Sequence, residues 1–147
     1  MTEQRLSGRL TQYWENMRKN EVMPSFSHFN KAAIEDVWSQ CILFVVMPGV
    51  EGKPPSISFY TVGDKVQAIY GQDMTGRILT PAQRNMFQGA SIVRKIPEVL
   101  SNPVPVTDDG QFVNDQSKVV KYRSCLLPFG NNGKVTHILA GLSWRSF

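Results

Sequence analysis

From Leu6 to Asn20 the large apolar residues fall at Leu6, Leu10, Tyr13, Trp14 and Met17, with polar and charged residues between them. That spacing traces one face of an amphipathic helix. Positions 6, 10, 13 and 17 also fit a short heptad seam, so the stripe either packs on its own domain or pairs with the same helix of a second chain. Fewer than two heptads make a weak coiled coil, which favours the first. After Met23-Pro24, the stretch Lys31 to Gln40 carries Ile34, Val37 and Trp38 on one side and predicts a second, short helix.

The period then changes to two. Cys41 to Met47 and Ile57 to Val62 are rich in β-branched and aromatic residues, and Pro48-Gly49 and Pro54-Pro55 interrupt the chain between them, predicting a hairpin with a long loop. Strict alternation in the second strand sets Ile57, Phe59 and Thr61 on one side and Ser58, Tyr60 and Val62 on the other, with the Tyr60 hydroxyl turned inward. Lys65 to Tyr70 predicts a short helix closed by Gly71. Thr80 then gives the strongest helix start: Thr80 as N-cap, Pro81 at the first helical position and Gln83 completing a capping box. Ala82, Met86, Ala90 and Val93 share a face of this helix, expected over Thr80 to Lys95, and Pro97 is expected to end it.

Pro103 to Thr107 reads as extended, Asp108-Asp109-Gly110 as a turn, and Lys118 to Leu127 as a long strand. Asn132-Gly133 supplies the positive backbone angles of a tight hairpin turn. In the last strand Ile138, Ala140, Leu142 and Trp144 alternate with His137, Leu139, Gly141 and Ser143. The predicted class is α+β: an antiparallel sheet of about five strands, an N-terminal helix, and one longer helix across the sheet. The expected division is a helix over residues 1–22 and a globular domain over 23–147.

Composition adds limits. A chain of 147 residues with 41% hydrophobic and 19% charged residues suits one globular domain. Its longest apolar run, Ile42 to Met47, is far below the roughly 20 residues of a membrane-spanning helix, and Met1 to Arg5 lacks a signal peptide's apolar segment, so a cytoplasmic location is expected. Cys41 and Cys125 lie far apart without metal or redox spacing and read as buried thiols. The net charge of +4 comes from basic residues such as Arg5, Arg9, Arg18, Lys121 and Arg123, interleaved with other types rather than massed. A solvated basic surface is expected, and no nucleic-acid partner.

Candidate chemistry is sparse. His28 falls in a loop and His137 on the strand face opposite the apolar set, so both are expected at the surface without a catalytic or haem-binding partner. Glu35-Asp36 and Asp108-Asp109 are sequence neighbours whose carboxylates point apart, whereas a glycosidase or metal site needs convergence. No nucleophile motif, phosphate-cradling loop or cysteine cluster stands out, so no catalytic set and no metal site is assigned. An enzyme would need Asp64 or Asp73 buried with a perturbed pKa.

Several segments together carry a family likeness: Tyr13-Trp14 before Met23-Pro24, the strand Ile42 to Val46, and Tyr60 to Gly63 leading to Tyr70-Gly71-Gln72-Asp73-Met74-Thr75-Gly76-Arg77. Leu126-Leu127-Pro128-Phe129 and the Gly-Lys hairpin before His137 to Leu142 extend it. From Leu10 onward the chain resembles compact bacterial single-domain PAS proteins. It departs from them at Ser25 to Phe29, where it carries two phenylalanines. The resemblance implies a cavity between the Thr80 to Lys95 helix and the sheet. By facing and chemistry its lining would include Tyr60, Met86, Tyr122, Ser124 and Trp144, each of which ordinary core packing would also explain. The implied function is a signal-input or regulatory module without an output domain, binding a small molecule of unknown class, a partner protein, or both. The cofactor is unknown, and the N-terminal helix would serve a protein partner or a homodimer. The rivals are a small α+β cavity enzyme of isomerase or hydrolase type and a structural dimerisation module with a filled core.

Overall fold

The computed structural model of the protein describes residues 5–80, 90–114 and 116–146. Helix α1 (Leu6–Arg18) leads through 3-10 turns at Phe26–His28 and Lys31–Gln40 into strands β1 (Cys41–Met47) and β2 (Ser56–Val62). Helix α2 (Asp64–Tyr70), the short strand β3 (Ile78–Leu79), a 3-10 turn at Ala90–Val93 and helix α3 (Ile96–Ser101) follow. Strands β4 (Val106–Val113), β5 (Val119–Asn131) and β6 (Lys134–Ser146) complete a six-stranded antiparallel sheet in the order β3-β2-β1-β6-β5-β4. The long β5–β6 hairpin turns at Asn132 (φ 55°) and Gly133 (φ 75°), as the Asn-Gly pair predicts.

Register assigns each strand residue to a face, because directly opposed residues share one. The inner face carries Ile42 and Phe44 of β1, Ile57, Phe59 and Val62 of β2, Tyr122, Ser124 and Leu126 of β5, and Ala140, Leu142 and Trp144 of β6. Val66, Ile69 and Tyr70 of α2 and Ile96 and Val99 of α3 are buried in the same core, with α3 packed on β5. The outer face carries Cys41, Leu43, Cys125, Leu127, Leu139 and Gly141, and α1 lies across it. The central strands are therefore covered on both sides, which is why Cys41, Ile42, Leu43 and Phe44 are all buried in succession instead of alternately.

The apolar stripe of α1 is seated on its own sheet. Leu10 and Trp14 are fully buried, Leu6, Tyr13 and Met17 pack at the edge of the core, and the Trp14 indole Nε1 donates to the Pro128 carbonyl at 2.6 Å. Of the two readings of the stripe, the structure has the intramolecular one. Leu10 can approach the sheet because β6 offers Gly141 at that point; a Cβ there would stand 2.3 Å from Leu10 Cδ1. Phe26 and Phe29 fasten the next segment to the same face, with Phe26 stacked on His137 (3.6 Å between ring centroids) and both phenylalanines edge-on to Phe129. His137, expected at the surface, is instead half-buried beneath Phe26, and burial lowers its pKa.

Other expectations change for identifiable reasons. Lys31–Gln40 is a kinked 3-10 segment, broken at Ile34 (φ −127°). Asp108-Asp109-Gly110 is not a turn but the middle of β4, where Gly110 gives room to its cross-strand partner: a Cβ on it would meet Tyr122 Oη at 2.8 Å. Strand β5 runs on through Pro128 to Asn131, beyond Leu126 where pairing with β4 ends, so the missing proline N–H falls on a strand side that has no β4 partner. Of the helix expected over Thr80 to Lys95, residues 81–89 lie outside the described residues. The remainder holds the 3-10 turn Ala90–Val93, and Pro97 sits in the first turn of α3, opening a helix where it was expected to close one.

Candidate functional site

The inner face is built on aromatic rings. Phe44 meets Phe59 at 4.9 Å between centroids, Phe59 meets Tyr70 of α2 edge-on at 6.3 Å, and Tyr70 stacks on Phe112 of β4 at 6.0 Å. Phe112 leads to Tyr122 at 6.2 Å. The string crosses the sheet from β1 to β5, with α2 supplying the ring that bridges the two halves. Edge-to-face and offset pairs of this kind add about 0.5–1.5 kcal/mol beyond burial.

Three of the predicted lining residues come together at the β5–β6 end of this face. Tyr122 is the direct cross-strand partner of Trp144, and Ser124 lies two residues from Tyr122 on the same face, opposite Leu142. Ser124 is 1% exposed, and its hydroxyl lies 3.5 Å from the Asp108 carbonyl. Met86 lies outside the described residues. Tyr60 is 62% exposed and does not join the others. In the β1–β2 ladder Leu43 opposes Thr61 while Phe44 opposes Phe59, so Tyr60 is the extra residue of a bulge. The bulge resets the alternation, turning Val62 inward and Tyr60 out, which corrects its expected inward hydroxyl.

Tyr70, Phe112 and the pair Arg94–Asp108 also belong to this face and were not singled out from sequence. Arg94 reaches from the turn before α3 and grips Asp108 with two hydrogen bonds, 2.7 Å from Nε and 2.8 Å from Nη2; Nη2 also donates to the Asp109 carbonyl at 2.9 Å. The side chain of Asp108 is 10% exposed and that of Arg94 47%. The guanidinium holds the Asp108 carboxyl below its ordinary value of 3.8. A depressed carboxyl pKa stabilises the fold fully above the unfolded value, and that contribution disappears as pH falls through the folded value. Urea unfolding followed from pH 7 down to 2.5 should therefore show stability falling below about pH 4. Asp108→Asn should remove up to about 1 kcal/mol of that fall, the small size reflecting the exposure of Arg94. An unchanged acid limb in the variant would show that the pair does not act in this way.

The face offers π surfaces and a hydroxyl beside a neutralised ion pair. Both cysteines lie on the opposite face, where burial pushes the thiol of Cys41 up to about 12 and that of Cys125 up to about 11, leaving both protonated and poorly nucleophilic. Asp64 and Asp73, the acids on which a cavity enzyme would depend, are exposed; Asp73 accepts from the Thr75 amide at 2.9 Å, and hydrogen bonding from the Thr75 side chain and then its amide lowers the Asp73 pKa. Among the described residues no group of three or more histidine, cysteine or acidic side chains is arranged to hold a metal ion. No described helix is long and apolar enough to cross a membrane.

A profile described as "PAS domain" matches residues 2–143. Among solved structures, one described as "Flavin Analogue Sheds Light on Light-Oxygen-Voltage Domain Mechanism" is similar at a TM-score of 0.52 and 11% identity, over 78% of this chain and 82% of that one. "Structure of an RNA-binding Light-Oxygen-Voltage Receptor" is similar at 0.51 and 14% identity, over 82% of this chain and 35% of that one. The PAS domain of an HTR-like protein from Haloarcula marismortui reaches 0.45 and 16% identity, over 78% and 91%. Among curated proteins none matches.

Proposed function

We propose, from the premise that this chain belongs to the PAS domain family, that it is a signal-input module whose inner sheet face receives a small molecule and whose state is passed to a protein partner. The observation that carries this reading is the convergence of Tyr122, Ser124 and Trp144 on one sheet face, continued by the aromatic string through Phe112 and Tyr70. Rings and a hydroxyl in that arrangement suit a largely apolar ligand held by stacking and oriented by one or two hydrogen bonds.

The route outward follows from strand alternation. Residues of β5 point alternately to the two faces: Tyr122, Ser124 and Leu126 face the ligand side, while Cys125 and Leu127 lie under the N-terminal segment. A shift of β5 or β6 on ligand binding is felt directly by α1. Occupancy can then bias how α1 and its neighbours meet a partner, provided the ligand prefers one arrangement over the other. Because the stripe of α1 is already seated, a second copy or another protein would use the exposed side of α1 or another surface.

Native mass spectrometry of the full chain purified from cells tests the ligand. The expected spectrum shows an added small mass that is lost under activation. Ser124→Leu, which places a larger side chain in the site, should abolish the added mass. A chain without added mass, together with no thermal shift on adding small aromatic compounds, would instead favour a filled core and a purely structural dimerisation module.

A further inference from the structure

The described residues cover the outer face only in part. Beyond Leu6, where α1 begins, the β4–β6 end carries an open cleft of about 920 Å³ lined by Arg5, Lys121, Arg123 and Arg145, with Asp109 as the acid among its described lining residues. These cations are dispersed in the sequence, and the fold gathers them, correcting the expectation of a basic surface without a cluster. Lys121 and Arg145 are direct cross-strand partners, and Arg123 lies two residues from Lys121 on the same strand face. Arg123 in turn stands directly opposite Asp109 on β4. Elsewhere Arg9, Arg18, Arg94 and Lys95 each lie within ion-pair distance of a carboxylate. Among the described residues Arg123 and Arg145 have no such partner.

We infer that this cleft docks an acidic peptide segment of a partner protein. Charge complementarity selects the occupant: Arg123 and Arg145, which have no carboxylate within ion-pair distance among the described residues, stand with Arg5 and Lys121 in one cleft floored by three strands. Gln111 and Ser143 add amide and hydroxyl groups suited to a peptide backbone. A nucleic acid would call for a longer line of phosphate contacts than these side chains supply. The inference rests on the partner-binding half of the proposed function and is independent of any ligand on the inner face.

Fluorescence anisotropy with the full chain and a labelled peptide alternating glutamate and alanine tests it at low salt, beside a labelled oligothymidine of equal length. The peptide should bind, weaken as salt is raised, and bind about tenfold more weakly to Arg123→Glu/Arg145→Glu. The neutral pair Arg123→Gln/Arg145→Gln should give a smaller loss, and because these residues are exposed, circular dichroism should show both variants folded. Absence of peptide binding, equal binding by the charge-reversed variant, or tighter binding of the oligothymidine would each overturn the inference. Added mass in the native spectrum without peptide binding would sink the cleft alone, while peptide binding without added mass would sink the inner-face ligand alone.

Discussion

Trp14→Ala should destabilise the chain by about 3–5 kcal/mol, the range for removing a large buried aromatic side chain. The side chain is 1% exposed, stands among the largest in the core, and holds α1 to the sheet from the helix side. Its indole donates at 2.6 Å to the carbonyl of Pro128. Alanine therefore leaves a cavity and also takes the indole donor from that carbonyl. For a domain of this size the loss corresponds to a fall in Tm of about 6–20 °C. Trp14→Phe separates the two contributions: it keeps much of the ring, removes the donor, and should cost about 1–3 kcal/mol. Thermal unfolding followed by circular dichroism checks both. If Trp14→Ala shifts Tm by less than Trp14→Phe, α1 is not anchored through this residue.

The same residue shows what the sequence makes legible. The spacing of Leu6, Leu10, Tyr13, Trp14 and Met17 identified a helix and its buried side, because a period near 3.6 sustained over about three turns is hard to mistake. The β5–β6 hairpin was equally plain, since Asn132-Gly133 meets a backbone requirement that few residue pairs meet. What escaped were features decided by a neighbouring strand. Gly110 has the look of a turn residue but is small for the sake of Tyr122, which stands opposite it in β5. Tyr60 has the look of an inward residue until the pairing with β1 shows that the ladder skips it. Pro97 reads as a terminator, yet proline is as much at home in a first helical turn as after a last one. The site was legible in the same proportion. Tyr122, Ser124 and Trp144 followed from alternation within two regular strands, whereas Phe112 was hidden behind the misread turn at Gly110. Tyr70 required knowing where α2 packs, and the basic cleft required the register that sets Lys121 opposite Arg145 and the position of Arg5 beside them.

Gly141→Ala should report on the seat of α1 more sharply than any single truncation. The added methyl would stand 2.3 Å from Leu10 Cδ1 and 3.3 Å from Cys125 Sγ. Leu10 is fully buried and cannot swing into solvent, so α1 must shift or Leu10 must leave its preferred rotamer. Overpacking of this kind costs about 1–3 kcal/mol. Leu10→Ala alone should cost about 2–5 kcal/mol, because it opens a cavity against the same strand. In the double variant the new methyl occupies part of the space the leucine vacated. The two costs should then fall short of their sum by about 0.5–3 kcal/mol, the range for side chains in direct contact. Urea unfolding of the wild type, both single variants and the double variant measures that coupling. Costs that add to within about 0.5 kcal/mol would mean that Leu10 and Gly141 do not share this contact. The cycle bears on signalling as well as on stability. Gly141 is cross-strand partner to both Cys41 and Cys125, and α1 packs on β5 and β6, which carry Tyr122, Ser124 and Trp144 on their other face. If the inner face holds the proposed ligand and controls how α1 sits, Gly141→Ala should also weaken retention of any added mass found on the wild-type chain, although the substituted residue lies on the opposite side of the sheet.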